Sequence, residues 1–510
     1  MTTPEQLAML ALGVPLIGFV LVAMSGRVPN VREAFTLLTA LVTFACVAGL
    51  YPAVMRGEEV RFALLEVMPG VPLSFRVEPL GMVYALVATL LWIPNSLYSI
   101  GYMRANHEKN QTRFYACYPL AIASAVGIAF ADNIFTMFVF YEMLTLSTFP
   151  LVTHKGTSDA MRSGRVYLGI LLTTSVCFQL FAVLWIYVLS MGDTPAVESI
   201  NFTVGGVFRD GLASNRIDPG IIGLLFFLYI YGIGKAALMP VHRWLPAAMV
   251  APTPVSAFLH AVAVVKGGVF CVIKVSVYVF GVGTMQQYGL GNWLLYVAGA
   301  TIIIASLIAA FQDNLKKRLA YSTISQLSYV VMATALLTPL SIMAATFHIV
   351  AHAFGKITLF FAAGSVYTAS HKTQVSQLDG IGRRMPATMA AFTIGALSMI
   401  GVPPLVGFVS KWWLISSVIE RGTLSGVDFS EGFVLAVIGA STLLNASYFL
   451  PIIYRAFFRP LADDDLKHPH GEAPMPMVYA LSFTAALTVL FFFWHKPALD
   501  LAELVRRAAL

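Results

Sequence analysis

The chain has 510 residues, of which 58% are hydrophobic and only 11% are charged, whereas a soluble domain carries about 25% charged residues. Its mean hydropathy is +0.78, which excludes an ordinary soluble enzyme and predicts an all-α polytopic membrane protein. The formal net charge of +7 does not indicate nucleic-acid binding, because the basic residues lie in short loops between apolar segments.

About fourteen apolar segments have the length of about 20 residues that a helix needs to cross a bilayer. The first is long enough to remain in the membrane, so we predict no cleavable signal peptide. No loop is long enough for a soluble domain, although the longest, 192–219, could form a small hairpin. The predicted spans are 5–25, 34–55, 77–102, 113–130, 132–153, 163–191, 218–239, 254–281, 292–311, 318–338, 341–369, 386–419, 431–457 and 474–494.

The distribution of basic residues predicts the orientation. Loops after odd-numbered spans carry 18 lysines and arginines, and loops after even-numbered spans carry 6. Because basic loops stay in the cytoplasm, we expect both termini on the outer side of a bacterial-type cytoplasmic (inner) membrane. Lys496, Arg506 and Arg507 in the C-terminal tail run against this rule, as they would after a missed span or in a tail that packs on a partner.

Two spans contain proline breaks next to a lysine. Pro240 follows Lys235 in span 7, and Pro403 and Pro404 precede Lys411 in span 12. Interrupted helices at corresponding places in two halves point to inverted repeats with a transport site near the breaks. We therefore predict two inverted five-helix repeats with broken helices 7 and 12. The expected units are 1–111 (spans 1–3), 112–281 (spans 4–8), 292–459 (spans 9–13) and 460–510 (span 14 and tail).

Charged groups inside the spans are the main functional signal. Each costs about 2.5–3.5 kcal/mol on insertion scales, and such groups usually mark ion or proton paths. Glu142 is the only acid deep inside a span, about 14 Å into span 5. Burial and a nearby ammonium act oppositely on the protonation of a carboxylate, so Glu142 and Lys235 form a candidate switching pair. No arginine, which would stay charged, lies deep in a predicted span.

The remaining lysines extend this candidate path. Lys266, twelve residues into span 8, is the predicted central relay, and Lys411 is the candidate lysine of the second half. Lys274, eight residues after Lys266, is expected nearer the interface, where its amine would snorkel to water.

Span 11 contains His348, His352 and Lys356, whose spacing places them on one helical face. Imidazole titrates near neutral pH, so the three predict a proton-hopping path, with His260 in span 8 as an additional candidate. The histidine spacing also suits a metal ion, but no carboxylate or third ligand follows, so we predict no metal site.

Motifs for cofactors are absent from the sequence. The four cysteines lie in apolar stretches without CxxC spacing and are predicted to be packing residues. Neither a GxGxxG turn nor a Walker-type loop is present. We therefore expect no nucleotide, flavin or iron–sulfur centre on this chain, and any driving redox chemistry on a partner.

In these residues the chain resembles a family of proton-conducting, antiporter-like membrane subunits. The family includes the large membrane subunits of respiratory complex I, of membrane-bound hydrogenases and of Mrp-type sodium/proton antiporters. The resemblance covers about residues 80–455. The matching stretches are FYE (140–142), GKAALMPVHRWLP (234–246), APTPVSA (251–257) with Lys266, DNLKKRLAYSTISQ (313–326) and GVPPLVGFVSK (401–411).

The resemblance implies fourteen helices with two inverted five-helix units. It assigns Glu142 and Lys235 to a first half-channel, Lys266 to the centre and Lys411 to a second half-channel. In having a lysine at position 411, the chain is similar to the D member of the Mrp antiporter, or to the smallest complex I member. The extra acid that the largest complex I member carries in span 6 has no counterpart here.

Together these observations predict a proton-translocating subunit of a multisubunit membrane complex. An Mrp-type cation/proton antiporter and a redox-driven pump resembling NADH:quinone oxidoreductase both fit, so membership of an enzyme stays open. The expected partners are other membrane subunits and the lipid bilayer, with protons, and Na⁺ as a further candidate, as cargo. The alternatives are a stand-alone secondary cation/proton transporter and a scaffold whose polar residues satisfy each other.

Overall fold

The computed structural model describes residues 3–191, 195–197, 199–425, 429–461 and 470–509. Its first part consists of helices α1 to α14 and one β-hairpin. In chain order the helices are α1 Pro4–Met24, α2 Pro29–Gly49, α3 Tyr51–Met55, α4 Pro79–Ala105, α5 Gln111–Phe130, α6 Ile134–Val152, α7 Ser158–Thr174, α8 Phe181–Leu189, α9 Arg209–Ala213, α10 Pro219–Gly232, α11 Trp244–Ala247, α12 Thr253–Ala257, α13 Val264–Val275 and α14 Val282–Gln287.

The second part consists of helices joined by short connecting segments in its described residues. Its helices are α15 Asn292–Phe311, α16 Leu315–Ala335, α17 Pro339–Ser370, α18 Pro386–Ile400, α19 Val406–Ser425, α20 Phe429–Phe458, α21 Met475–Phe493 and α22 Lys496–Ala508. Turns of π-helix join α7 to α8 and α12 to α13, so that each of these pairs forms one continuous rod.

The protein is a multi-pass membrane protein. Eleven helical segments of the described chain are long and apolar enough to cross a bilayer, and they coincide with predicted spans 1–6, 8, 9, 11, 13 and 14. Spans 7 and 12 contain the shorter helices α10 and α18 because both spans are broken, and α16 in span 10 carries many polar side chains. The total of fourteen spans stays a prediction.

A β-hairpin occupies the loop between spans 2 and 3. Strands β1 (Val60–Met68) and β2 (Val71–Val77) pair antiparallel around a turn at Gly70, which has a positive φ of 74°. The sequence predicts a possible hairpin in the loop 192–219 instead. That position is wrong for the described part of the loop, which contains the short helix α9, whereas residues 192–194 and 198 lie outside the described residues.

Loops that follow even-numbered spans contact one another and form one end of the helix bundle, here called the even-loop face. Asn133 donates to the carbonyl oxygen of Pro72 (2.7 Å), and the Phe202 amide donates to Asp132 (3.0 Å). The loops after odd-numbered spans meet at the opposite end, the odd-loop face. There Arg32 donates to Gln111 at 2.9 Å. The orientation of these two faces relative to the membrane stays a prediction.

Both predicted helix breaks are present. α10 ends before Lys235, and Ala237 then adopts a positive φ of 55°. The Trp244 indole N–H satisfies the freed carbonyl oxygen of Gly234 at 2.9 Å. α18 ends at Gly401, whose φ is 93°. The inverted relation of the two five-helix units stays a prediction.

The C-terminal tail forms the amphipathic helix α22, which packs against α17 and α4. Leu501, Ala502 and Val505 are buried, and the outward-facing Arg506 pairs with Glu503 at 3.3 Å. The basic tail residues therefore belong to a helix that is held by this chain itself.

We expect Gly401→Ala to destabilise the protein. At φ 93° a side chain costs about 1–2 kcal/mol, and the new Cβ would lie 2.8 Å from Cδ of Lys411. Gly439→Ala is the matched control, because Gly439 lies inside α20 with no atom within 4 Å of an added Cβ. Thermal unfolding in detergent is the measurement. Equal midpoints for the two variants would contradict the prediction.

Candidate functional site

Lys235 lies in the break of span 7 and is fully buried. Its ammonium donates to the carbonyl oxygen of Tyr141 (2.8 Å) and to Oγ1 of Thr145 (2.5 Å), both on α6. The same nitrogen lies 3.1 Å from the centre of the Tyr141 ring, an arrangement that stabilises a cation. The hydroxyl of Tyr141 in turn accepts the Lys235 backbone N–H. One turn of α6 therefore holds this lysine on three sides.

Glu142 follows Tyr141 on α6. Both carboxylate oxygens are buried without a hydrogen-bond partner, and among the described residues no salt bridge joins Glu142 to Lys235. Successive side chains on a helix point about 100° apart. Lys235 lies against Tyr141, and the carboxylate of Glu142 therefore points in a different direction around α6. The switching pair stays a prediction that requires either a change of side-chain conformation or a bridging water.

Lys266 contacts the second half of the chain. It lies on α13, and its amine is hydrogen-bonded to Nδ1 of His352 on α17. Both side chains are buried. The structure thus brings together two residues that the sequence predicts separately, one in each half.

Lys266 and His352 begin a row of neighbouring polar side chains, which continues from His352 along α17. The rings of His352 and His348 stack with centroids 6.2 Å apart, and Nδ1 of His348 lies 3.0 Å from Oγ of Ser410. Ser410 precedes Lys411 on α19. Sequence reasoning missed Ser410, although its position next to a buried lysine is a usable signal.

Lys411 binds the end of the broken helix of span 12. Its ammonium donates to the carbonyl oxygen of Ile400 (2.7 Å), the last residue of α18, and to Oγ1 of Thr442 (3.3 Å). The C-terminal carbonyls of a helix carry a partial negative charge. The break therefore supplies the acceptor that allows Lys411 to be buried.

Lys356 and His260 lie beside this row. Lys356 shares the α17 face with the two histidines, as predicted, but its ammonium donates to Oγ of Ser322 on α16 at 2.9 Å. His260 lies in the π-helical turn before α13, its ring centre 4.9 Å from that of Phe360. Neither of its ring nitrogens has a hydrogen-bond partner in the described part of the chain, so His260 remains an additional candidate.

The predicted snorkelling of Lys274 is wrong. Its side chain is buried and forms a salt bridge with Glu78 (2.8 Å), the residue that precedes α4, and donates to the carbonyl oxygen of Ala131 (2.7 Å). Arg76 and Asp132 pair beside it at 3.1 Å. Sequence reasoning missed Arg76, Glu78 and Asp132 because they lie in β2 and at the ends of predicted spans, where charged residues are ordinary.

His154, on the odd-loop face just beyond α6, does not join the row. Burial, and then the positive charge of Arg113, lower its pKa to about 4. A pKa near 4 keeps the imidazole neutral across the physiological range.

Known proteins resemble this chain in sequence and in fold. The family model described as "NADH:quinone oxidoreductase/Mrp antiporter, TM" matches residues 131–439. NADH-quinone oxidoreductase subunit N of Desulforudis audaxviator is 30% identical over 482 residues, 92% of this chain and 90% of that protein. A probable K⁺/H⁺ antiporter subunit of Rhizobium meliloti is 32% identical over 449 residues, 87% of this chain and 42% of that protein.

Hydrogenase-4 component B of Escherichia coli is 29% identical over 440 residues, 82% of this chain and 62% of that protein. The chain thus spans most of subunit N but less than two thirds of the other two relatives. A chain of an archaeal membrane-bound sulfane sulfur reductase has the same fold, with a TM-score of 0.83 at 22% identity over 98% of this chain and 97% of that one. A chain of the Mrp complex from Dietzia gives 0.78 at 26% identity, over 100% and 52%.

We expect Glu78→Gln to destabilise the protein strongly. Removing one partner of a buried ion pair costs about 3–5 kcal/mol, because the other charge remains buried without its counter-charge. Glu58→Gln is the matched control on the same loop, since the pair of Glu58 with Arg56 is largely exposed and such pairs contribute little to stability. The measurement is the thermal unfolding midpoint of the two variants, and a loss no larger for Glu78→Gln would contradict it.

Proposed function

The chain belongs to the NADH:quinone oxidoreductase/Mrp antiporter membrane family, and from this premise we propose that it is a proton-translocating subunit of a multisubunit membrane complex. Protons would cross it through Glu142, Lys235, Lys266, His352, His348 and Lys411, with Lys356 and His260 beside them. These residue roles are inferred from the geometry.

The observation that carries the proposal is the hydrogen bond between Lys266 and His352. It joins the buried lysine of α13 to a row of titratable groups on α17, in the middle of the molecule. Amines and imidazoles whose environment disfavours charge can exchange protons under physiological conditions. Polar residues with a purely structural role would need only nearby hydrogen-bond partners, whereas this row joins residues from both halves of the chain.

The first half supplies the only carboxylate of the row. Glu142 is one position from the backbone carbonyl that holds Lys235. A rotamer change that brings the Glu142 carboxylate to the Lys235 ammonium would change the protonation of both groups. It would thereby also change the electrostatic potential at Lys266. Such a switch would couple proton uptake in one half to release in the other.

The environment of the subunit follows from its relatives. We propose that the odd-loop face is cytoplasmic and that the membrane is a bacterial-type cytoplasmic membrane, because the basic loops lie on that face. Any redox reaction would take place on partner subunits, and Na⁺ or K⁺ transport, if it occurs, would use the same complex.

Proton transport should require Glu142 and Lys235, the proposed path residues that lie in the first half of the chain. We expect Glu142→Gln and Lys235→Ala to reduce proton translocation to background in inverted membrane vesicles that contain the intact complex. Glu59→Gln and Lys109→Ala, both at exposed positions, are the matched controls. Assembly is checked by native gel electrophoresis. Near-normal transport by either test variant in an assembled complex would overturn the proposal and favour a scaffold.

The composition of the complex distinguishes the remaining possibilities. Mass spectrometry after gentle extraction should find other membrane subunits with this chain. Partners with flavin or iron–sulfur centres would identify a redox-driven pump, and small hydrophobic partners alone would identify a cation/proton antiporter. Transport by the purified chain without any partner would instead identify a stand-alone transporter.

A further inference from the structure

α20 carries a polar stripe, of which the row described above uses only Thr442. Ser441, Asn445 and Tyr448 are four and three residues apart, and Thr442 lies three residues before Asn445, so the four share one side of the helix. Ser441, Asn445 and Tyr448 are buried, whereas Leu443 and Leu450 on the opposite side are exposed to the lipid region. Uncharged polar side chains in a spanning helix need partners inside the protein.

One end of this stripe reaches Lys356. The ammonium of Lys356 donates to Oγ of Ser322 (2.9 Å), and the Tyr448 hydroxyl oxygen lies 3.0 Å from the same Oγ. Tyr448 also donates to Oδ1 of Asn445. A carbonyl oxygen can only accept, so the single tyrosine proton points to Asn445, and the Ser322 hydroxyl is free to donate to Tyr448. The donors then run in one direction, from Lys356 to Asn445.

The other end of the stripe reaches Lys411, whose ammonium donates to Oγ1 of Thr442 at 3.3 Å. Asn445 lies one turn further along α20, about 5–6 Å away. Nδ2 of Asn445 is buried without a hydrogen-bond partner in the described part of the chain. Buried polar atoms of this kind are usually bonded to water, and this turn is where a water molecule would complete the connection.

We propose that this stripe is a second branch of the proton path, which joins Lys356 to Lys411 without using His348. The inference rests on the proposed function. In each step one N–H or O–H bond breaks and one forms on the next atom. Lys356 gives a proton to the Ser322 hydroxyl, which gives its own proton to Tyr448, and the Tyr448 hydroxyl turns away from Asn445 and gives its proton to the water. The water then gives a proton to Thr442, whose own hydroxyl proton passes to the Lys411 amine. The net result is that the Lys356 ammonium becomes an amine and the Lys411 amine becomes an ammonium.

Tyr448→Phe removes the hydroxyl and retains the ring. Losing one hydrogen bond in a branch should lower proton translocation by about two- to tenfold. Because the two branches are parallel, the double variant His348→Ala/Tyr448→Phe should fall far below the product of the two single effects. Tyr454→Phe, at an exposed position on the same helix, is the matched control and should transport normally.

A second pair of variants separates proton transfer from packing. Thr442→Val has the shape of threonine without the hydroxyl, whereas Thr442→Ser keeps the hydroxyl with less volume. We expect the serine variant to transport as the natural chain does and the valine variant to lose transport like Tyr448→Phe. A loss in both variants would indicate packing and overturn the assignment of Thr442 to the branch.

The outcomes are read in vesicles that contain the intact complex, with Glu142→Gln measured in parallel. If Tyr448→Phe causes no loss of transport, either alone or when added to His348→Ala, while Glu142→Gln is inactive, the second branch is overturned and the proposed function stands. A double variant that retains as much transport as the product of the single effects, or more, would also overturn it, because parallel branches require a larger combined loss. An active Glu142→Gln complex would overturn the proposed function itself.

Discussion

The cost of placing charge in hydrocarbon is the constraint on which this structure depends. Four buried lysines meet it in the same way, because each ammonium donates to a carbonyl or hydroxyl oxygen of a neighbouring segment: Lys235, Lys274, Lys356 and Lys411. Of these four, Lys274 alone also has a described carboxylate within salt-bridge distance. Neutral acceptors stabilise an ammonium less than a counter-ion does, so the other three lysines can give up a proton without leaving an unpaired carboxylate behind.

The helix breaks are part of the same solution. A regular helix uses its carbonyls internally, whereas a helix that ends inside the membrane leaves its last carbonyls free. Lys411 takes such a carbonyl from the end of α18. At the other break the indole of Trp244 closes the free carbonyl of Gly234, and Lys235 is held by α6 instead. The two breaks thus match in position but differ in how they hold their lysines.

The sequence predicts much of the scaffold and of the site because both obey local rules. Apolar length locates the spans, proline and glycine locate the breaks, and a lysine in an apolar run is conspicuous wherever it falls. Partners are harder to predict, because Glu78 and Ser322 look ordinary in their own segments and gain meaning only when α4 and α16 pack beside Lys274 and Lys356. The direction of Glu142 is also beyond sequence reasoning, since a rotation of about 100° on α6 decides whether it faces Lys235.

The contacts at the centre of the molecule are less symmetric than the predicted repeat would suggest. On the side of the first half, the row ends at Lys266. On α17, His352 and Lys356 lie one turn apart and contact different helices, since His352 bonds to Lys266 on α13 and Lys356 bonds to Ser322 on α16. His352 leads toward α19 through His348, and Lys356 leads toward α16 and α20 through Ser322. On the proposed path, a proton that leaves Lys266 would therefore meet two branches. Both branches would end at Lys411, whose ammonium donates to the carbonyl oxygen of Ile400, so the charge on Lys411 would depend on both.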